Sequence, residues 1–146
     1  MVERQQLFAS DALLLGRATY EAFAATWPSM EEVEGDFAVR MNALPKHVAS
    51  RTLLQTTWNS RVFEDVEGEV RRLKAQDGGD LLIYGSCTFA DALTRAGLID
   101  EYRVMVFPVV VGGGARLFAD ATVEKLHLRN VVTTTTGVAM LTYTWS

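Results

Sequence analysis

The chain of 146 residues is poor in the residues that staple or metallate small proteins: it has one cysteine, two histidines and three prolines. A single thiol, Cys87, leaves no internal disulfide to form and suits a reducing cytoplasm. One thiol and two imidazoles also fall short of the Cys-rich zinc schemes, the zinc-deaminase signature included, so no metal is expected. Neither His47 nor His127 stands near a carboxylate and a serine in a recognisable arrangement, which argues against a hydrolase triad. Positive charge is not in excess. Fourteen Lys and Arg face eighteen Asp and Glu, for a net charge of −4, and this gives no electrostatic drive toward nucleic acid. No apolar run nears the ~20 residues of a membrane span. The opening MVERQQLFAS lacks the basic region and apolar block of a secretory signal. Repeats, linkers and low-complexity tracts are missing as well. What is present is a chain 49% hydrophobic, enough to bury the core of one domain over residues 1–146.

The stretch from Asp80 to Phe118 organises the rest. Leu81, Leu82, Ile83 and Tyr84 form an apolar run without alternation, the pattern of a parallel strand covered on both faces. Gly85 follows at once, and Ser86 stands where a helix N-cap belongs. Phe89, Ala92, Leu93 and Ala96 recur as one helix face, with Gly97 as the stop. Tyr102–Phe107 reads as the next strand. A strand whose carboxyl end meets a glycine turn and a helix N-terminus offers backbone N–H groups to an anion, as a nucleotide diphosphate requires.

The same unit occurs earlier. Val2–Ala9 can form a short helix. Ala12–Leu15 reads as a buried strand ending at Gly16, and Tyr20, Phe23, Ala24 and Trp27 then trace a helix face ended by Pro28. Met30–Asp36 is acidic and reads as a solvated loop. Phe37, Met41 and Leu44 suggest a helix stopped at Pro45. Lys46–Ser50 and Arg61–Phe63 read as short strands, and Asp65 can cap a helix with Val66, Val70 and Leu73 on its core face. Lys125–Thr135 and Val138–Trp145 alternate around Gly137, which predicts an antiparallel hairpin closing the sheet.

Three strand ends thus carry polar or phosphate-compatible groups: Gly16-Arg17, Ser50-Arg51 and Gly85-Ser86. In an open α/β sheet such ends line one crevice. Each also has a plain structural reading. Gly85-Ser86-Cys87-Thr88 can be a tight strand–helix turn, Arg17 a surface arginine on a first helical turn, and Ser50-Arg51 ordinary loop. Gly112, Gly113 and Gly114 lack a following Lys-Ser/Thr and read as a turn or bulge. Cys87 reads as a small buried hydrophobe. Phe23 and Trp27 are first a core face; they can also border a planar heterocyclic substrate.

Four pieces, DALLLGRATYEAF (11–23), LPKHVASRTL (44–53), GGDLLIYGSCTFADAL (78–93) and IDEYRVMVFPVVVGGGARLF (99–118), follow one another in an order and spacing that resembles the dihydrofolate-reductase-like fold. Within it, the chain is similar to the reductase domain of bacterial riboflavin biosynthesis (RibD C-terminal-like proteins). The resemblance implies a three-layer α/β fold with a mixed, mainly parallel central sheet, flanking helices and the C-terminal antiparallel hairpin. It implies NADPH as cofactor. Gly16, Arg17 and Thr19 would touch its phosphates, Ser50 and Arg51 the adenosine 2′-phosphate, and Gly85, Ser86 and Thr88 the diphosphate. A guanidinium beside a hydroxyl suits a phosphate ester and would favour NADPH over NADH.

The resemblance also implies a strand and loop ahead of the first helix, lying between the strands at 81–84 and 102–107. Three expectations address that gap: a trimmed chain, direct pairing of the two neighbouring strands, or a partner subunit that fills it. The function expected is that of a cytoplasmic, homodimeric NADPH-dependent reductase of a small heterocycle such as a pyrimidine or pterin. The alternatives are a catalytically inactive nucleotide-binding or oligomerisation module, and a structural dimer paired through the hairpin.

Overall fold

The computed structural model describes residues 2–118 and 124–145, the side chain of residue 2 excepted. The chain forms two compact units, Met1–Ala96 and Gly97–Ser146.

The first unit is an α/β layer structure. Helix α1 (Val2–Phe8) leads into strand β1 (Ser10–Gly16), helix α2 (Arg17–Thr26) and a 3-10 turn at Trp27–Ser29. Short helix α3 (Glu31–Glu34) and α4 (Asp36–Ala43) precede strands β2 (Lys46–Ala49) and β3 (Ser60–Phe63); α5 (Val66–Lys74), β4 (Asp80–Ile83) and α6 (Cys87–Arg95) complete it. The four strands are all parallel, in the order β3-β2-β1-β4.

Strand β1 is central because its sequence can be buried on both faces. Leu13, Leu14 and Leu15 are each no more than 2% exposed, and successive side chains point to opposite faces. Leu13 and Leu15 share a cluster with Leu7 of α1, Tyr20 of α2, Met41 of α4, Leu44 and Val48. The opposite face belongs to α5 and α6, whose apolar stripes bury Val70 and Leu73, and Phe89 and Leu93. The Phe63 and Phe89 rings meet there at 6.2 Å. Burying three leucine side chains contributes roughly 5–9 kcal/mol before the entropy of ordering them.

Local chemistry sets the helix ends. Asp65 accepts the Gly68 N–H at 3.0 Å and caps α5. Gly97, at φ +69°, ends the turn after α6. Three sequence expectations change. The acidic residues of the stretch Met30–Asp36 are exposed, as expected, but the stretch is not all loop: it contains the single turn of α3 and the first residue of α4. Residues 81–84 are half-buried rather than covered on both faces, since β4 pairs only with β1 among the described residues. Cys87 is exposed, not buried.

The second unit is an antiparallel sheet of β5 (Glu101–Val106), β6 (Leu126–Thr133) and β7 (Ala139–Trp145), in the order β5-β7-β6. The predicted hairpin is β6–β7, turning at Thr134–Gly137, where Gly137 has φ +87°. It joins β5 in a sheet of its own rather than closing the parallel one. Among the described residues, β4 and β5 are not paired. Tyr102 packs edge-on against Trp145 and Phe118, with ring centroids at 5.8 and 5.4 Å. Gly112–Gly114 adopt no regular element and are exposed. Among the described residues, no helix is long and apolar enough to cross a membrane.

Candidate active site

Parallel strands put all their carboxyl ends at one edge. From β1 the chain moves outward through β2 to β3, then returns to the other side of β1 as β4. The order therefore reverses between β1 and β4. Such a switch point opens a crevice between the two strand ends, because their following helices diverge to opposite faces. Here α2 packs on the face with α1 and α4, and α6 on the face with α5.

Gly16 and Ser86 meet at that point. The Gly16 N–H donates to Ser86 Oγ at 2.9 Å. Ser86 Oγ lies 2.9 Å from Thr19 Oγ1 and 3.1 Å from the Tyr84 carbonyl oxygen. Glycine at 16 suits this approach: a Cβ there would stand 3.2 Å from Ser86 Oγ and 3.3 Å from Ser86 Cβ, tight enough to push Ser86 back by a few tenths of an ångström. Gly85 and Ser86 are both left-handed, at φ +54° and +57°. That conformation turns the Ser86 hydroxyl away from the helix it precedes. Ser86 is the residue before α6, but its side chain does not cap the helix, against expectation. The first-turn amides of α6 and of α2 both lack a side-chain cap, which leaves donors for an anion where the two helices begin.

The third strand end is tied to the first. Arg17 Nη1 donates to Thr52 Oγ1 at 3.0 Å, and Arg17 Nε to Glu21 at 3.0 Å. Ser50 Oγ accepts the N–H groups of Thr52 and Leu53 at 3.3 and 3.1 Å, rounding the chain into a turn after β2. Arg51 is exposed on that turn, and Thr88 is exposed on the first turn of α6. Farther along, Tyr20 Oη accepts the Thr57 N–H at 2.9 Å and pins the loop to α2. The structure thus links Gly16, Thr19 and Ser86 directly, and Arg17 with the Ser50 turn through Thr52. Thr52 was not singled out in the sequence. Its contact with Arg17 spans 35 positions and leaves no local signature.

A row of aromatic rings runs from the β4–α6 junction along α2. It starts at Tyr84, beside the Gly85–Ser86 turn, and continues through Phe23 (6.1 Å) and Trp27 (6.4 Å from Phe23) to Phe37 (5.5 Å from Trp27). Phe23 and Trp27 are half-buried. They pack as a core face and keep part of their rings accessible.

The opposite edge of the sheet is different in kind. A shallow cavity of about 230 Å³ is lined there by Asp11, Pro45, His47, Arg72 and Gln76 among others. His47 is buried, and burial together with the Arg61 and Arg72 guanidinium groups lowers its pKa to about 4. Its Nδ1 is 3.7 Å from Glu69, whose carboxylate is already paired with Arg61 and Arg72.

Comparison with known proteins agrees with this architecture. Residues 3–142 match the model of the RibD C-terminal domain. YyaP of Bacillus subtilis is 30% identical over 142 residues, covering 93% of this chain and 74% of YyaP. The chain belongs to the RibD C-terminal domain family, a riboflavin-pathway reductase-like family. Two solved structures share its fold. One is a protein from Shewanella sp. PV-4 assigned to riboflavin biosynthesis, with TM-score 0.74, 20% identity, and coverage of 97% of this chain and 77% of that one. The other is RibD of Acinetobacter baumannii, with TM-score 0.68, 18% identity and coverage of 99%. This chain spans half the length of that RibD.

Proposed function

We propose that the protein is an NADPH-dependent reductase of a small heterocyclic substrate, a pyrimidine or a pterin. The observation that carries the reading is the contact of Gly16 and Thr19 with Ser86 at the switch point of the parallel sheet. It places the N-termini of α2 and α6 side by side, and both lack a side-chain cap. Two such termini suit the two negative charges of a diphosphate.

The donor set fits the cofactor along its length. Amides of the first turns of α2 and α6, with Gly85 and Thr88, would hold the diphosphate. Arg17, Ser50 and Arg51 would hold the 2′-phosphate, and a guanidinium matches a phosphate as a bidentate donor. When bound, NADPH supplies the hydride. The protein's part is to fix the nicotinamide against the acceptor and to exclude water. The aromatic row from Tyr84 to Trp27 offers a flat wall for a heterocycle beside the crevice. The family match supports a reductase, and the composition suits a cytoplasmic protein. A homodimer is proposed as the working assembly.

Titration with NADPH, followed by quenching of tryptophan emission, tests the cofactor. Saturable binding at micromolar concentrations is expected, with NADH weaker. No binding at millimolar NADPH would end the proposal. Loss of NADPH absorbance with a panel of aminopyrimidines and dihydropterins tests the reaction. Binding without turnover on every member would favour an inactive nucleotide-binding module instead.

A further inference from the structure

Ser86 occupies a left-handed position, φ +57° and ψ +52°, directly after a left-handed glycine. A residue with a Cβ is disfavoured there, and glycine would be relaxed. The serine is compensated through its hydroxyl. Oγ meets three partners: the Gly16 N–H, Thr19 Oγ1 and the Tyr84 carbonyl. A hydroxyl has one proton and two lone pairs. The Gly16 N–H donates to Ser86 Oγ, and the single Ser86 proton points to the Thr19 hydroxyl oxygen and the Tyr84 carbonyl, both of which accept. The one hydroxyl proton is thereby committed within the protein. No donor is left for a phosphate, which can only accept.

We infer that Ser86 is a positioning residue, whose hydroxyl braces the β1–α2 junction against the β4–α6 junction so that main-chain amides of both helices face one diphosphate. The inference rests on the cofactor reading above and adds to it a division of labour. The Ser86 side chain is a strut between the two halves of the site, and the phosphate contacts fall to the amides around it. The 2′-phosphate side, built from Arg17, Ser50 and Arg51, does not depend on the strut.

Two variants test it. Ser86→Ala removes the hydroxyl, and Ser86→Gly removes it at a position where glycine is unstrained, so the loss of the hydroxyl is read without added backbone strain. In the ligand-free protein, amide hydrogen exchange at Gly16 is expected to accelerate about tenfold in both, because its acceptor is gone. Affinity for 5′-ADP is expected to fall about fivefold, the equivalent of one part-buried hydrogen bond. Affinity for 2′-AMP is expected to stay within about twofold. Unchanged exchange at Gly16 would show that the hydroxyl is no brace and would overturn the inference. So would unchanged ADP affinity, or an equal loss for ADP and 2′-AMP. If wild-type protein binds neither nucleotide, the cofactor reading falls and the inference with it; binding of both by wild type with unaltered variants removes the inference alone.

Discussion

Arg17 Nη1 stands 3.0 Å from Thr52 Oγ1, and by that contact the helix after β1 is tied to the loop after β2. The guanidinium is half exposed and also held by Glu21, so its plane is fixed while donors remain for a ligand. Arg17→Ala is expected to weaken NADPH binding about tenfold and NADH binding much less, which narrows the preference between them. Parallel titrations with the two cofactors measure it. Arg17→Lys keeps the charge but loses the fork, and is expected to recover only part of the loss.

The cap of α5 supplies a stability prediction free of any ligand. Asp65→Ala removes the bond to the Gly68 N–H and is expected to cost about 1 kcal/mol in denaturant unfolding. Gly68→Ala would ordinarily stabilise a helix by up to about 1 kcal/mol. Here the new Cβ would land on the Asp65 carboxylate, so the gain is expected to be cancelled by the displaced cap. In an Asp65→Ala background the same substitution is expected to stabilise.

His47 should make the fold acid-sensitive. Its pKa falls from 6.5 to about 4 on folding, first through burial and then through Arg61 and Arg72. Between those values the unfolded chain binds a proton that the folded chain refuses. The stability linked to His47 is therefore complete above pH 6.5 and is lost as the pH falls toward 4. Relative to His47→Gln, wild type is expected to lose roughly 2 kcal/mol across that window, after allowing for water at the rim of the site. Urea unfolding at stepped pH reads the difference.

Lys46 predicts the opposite end of the scale. Its ammonium is buried, with Nζ 4.1 Å from the centre of the Trp58 ring and donating to the Asn42 carbonyl at 2.6 Å. Burial lowers its pKa from 10.5 to about 8. Above 8 the folded protein sheds the proton while the unfolded chain keeps it up to about 10.5. Stability linked to Lys46 should thus rise with pH through that interval. Lys46→Met is expected to flatten the rise, and the difference between the two unfolding profiles is the measurement.

Much of the framework was legible because local rules and long-range packing agree. The apolar run at Ala12–Leu15 reads as a buried strand and is one, and Phe89 with Leu93 reads as one helix stripe and is buried as such. The glycine turns at 16 and 85 marked the strand ends for the same reason. The role of the Ser86 side chain is not legible in the sequence because N-cap preferences assume an extended backbone, whereas the left-handed pair at 85–86 aims the hydroxyl at Gly16. The partition of strands was hidden as well. Alternation shows that β6 and β7 pair, but nothing in a period of two says that β5 joins β7 rather than β4. A lysine at 46 likewise gives no sign of burial until Trp58 and Asn42 are seen around it.

The common direction of the four strands separates the tasks of the first unit by rim. Libraries intended to change ligand preference need to vary only positions 17–19, 50–52 and 85–88, none of which belongs to the leucine-rich cluster. The return through Asp77–Gly79 reaches β4 at the far rim. A fluorophore or affinity handle inserted there would leave the ligand-facing rim untouched, which makes that return the natural place to label the protein for the measurements above.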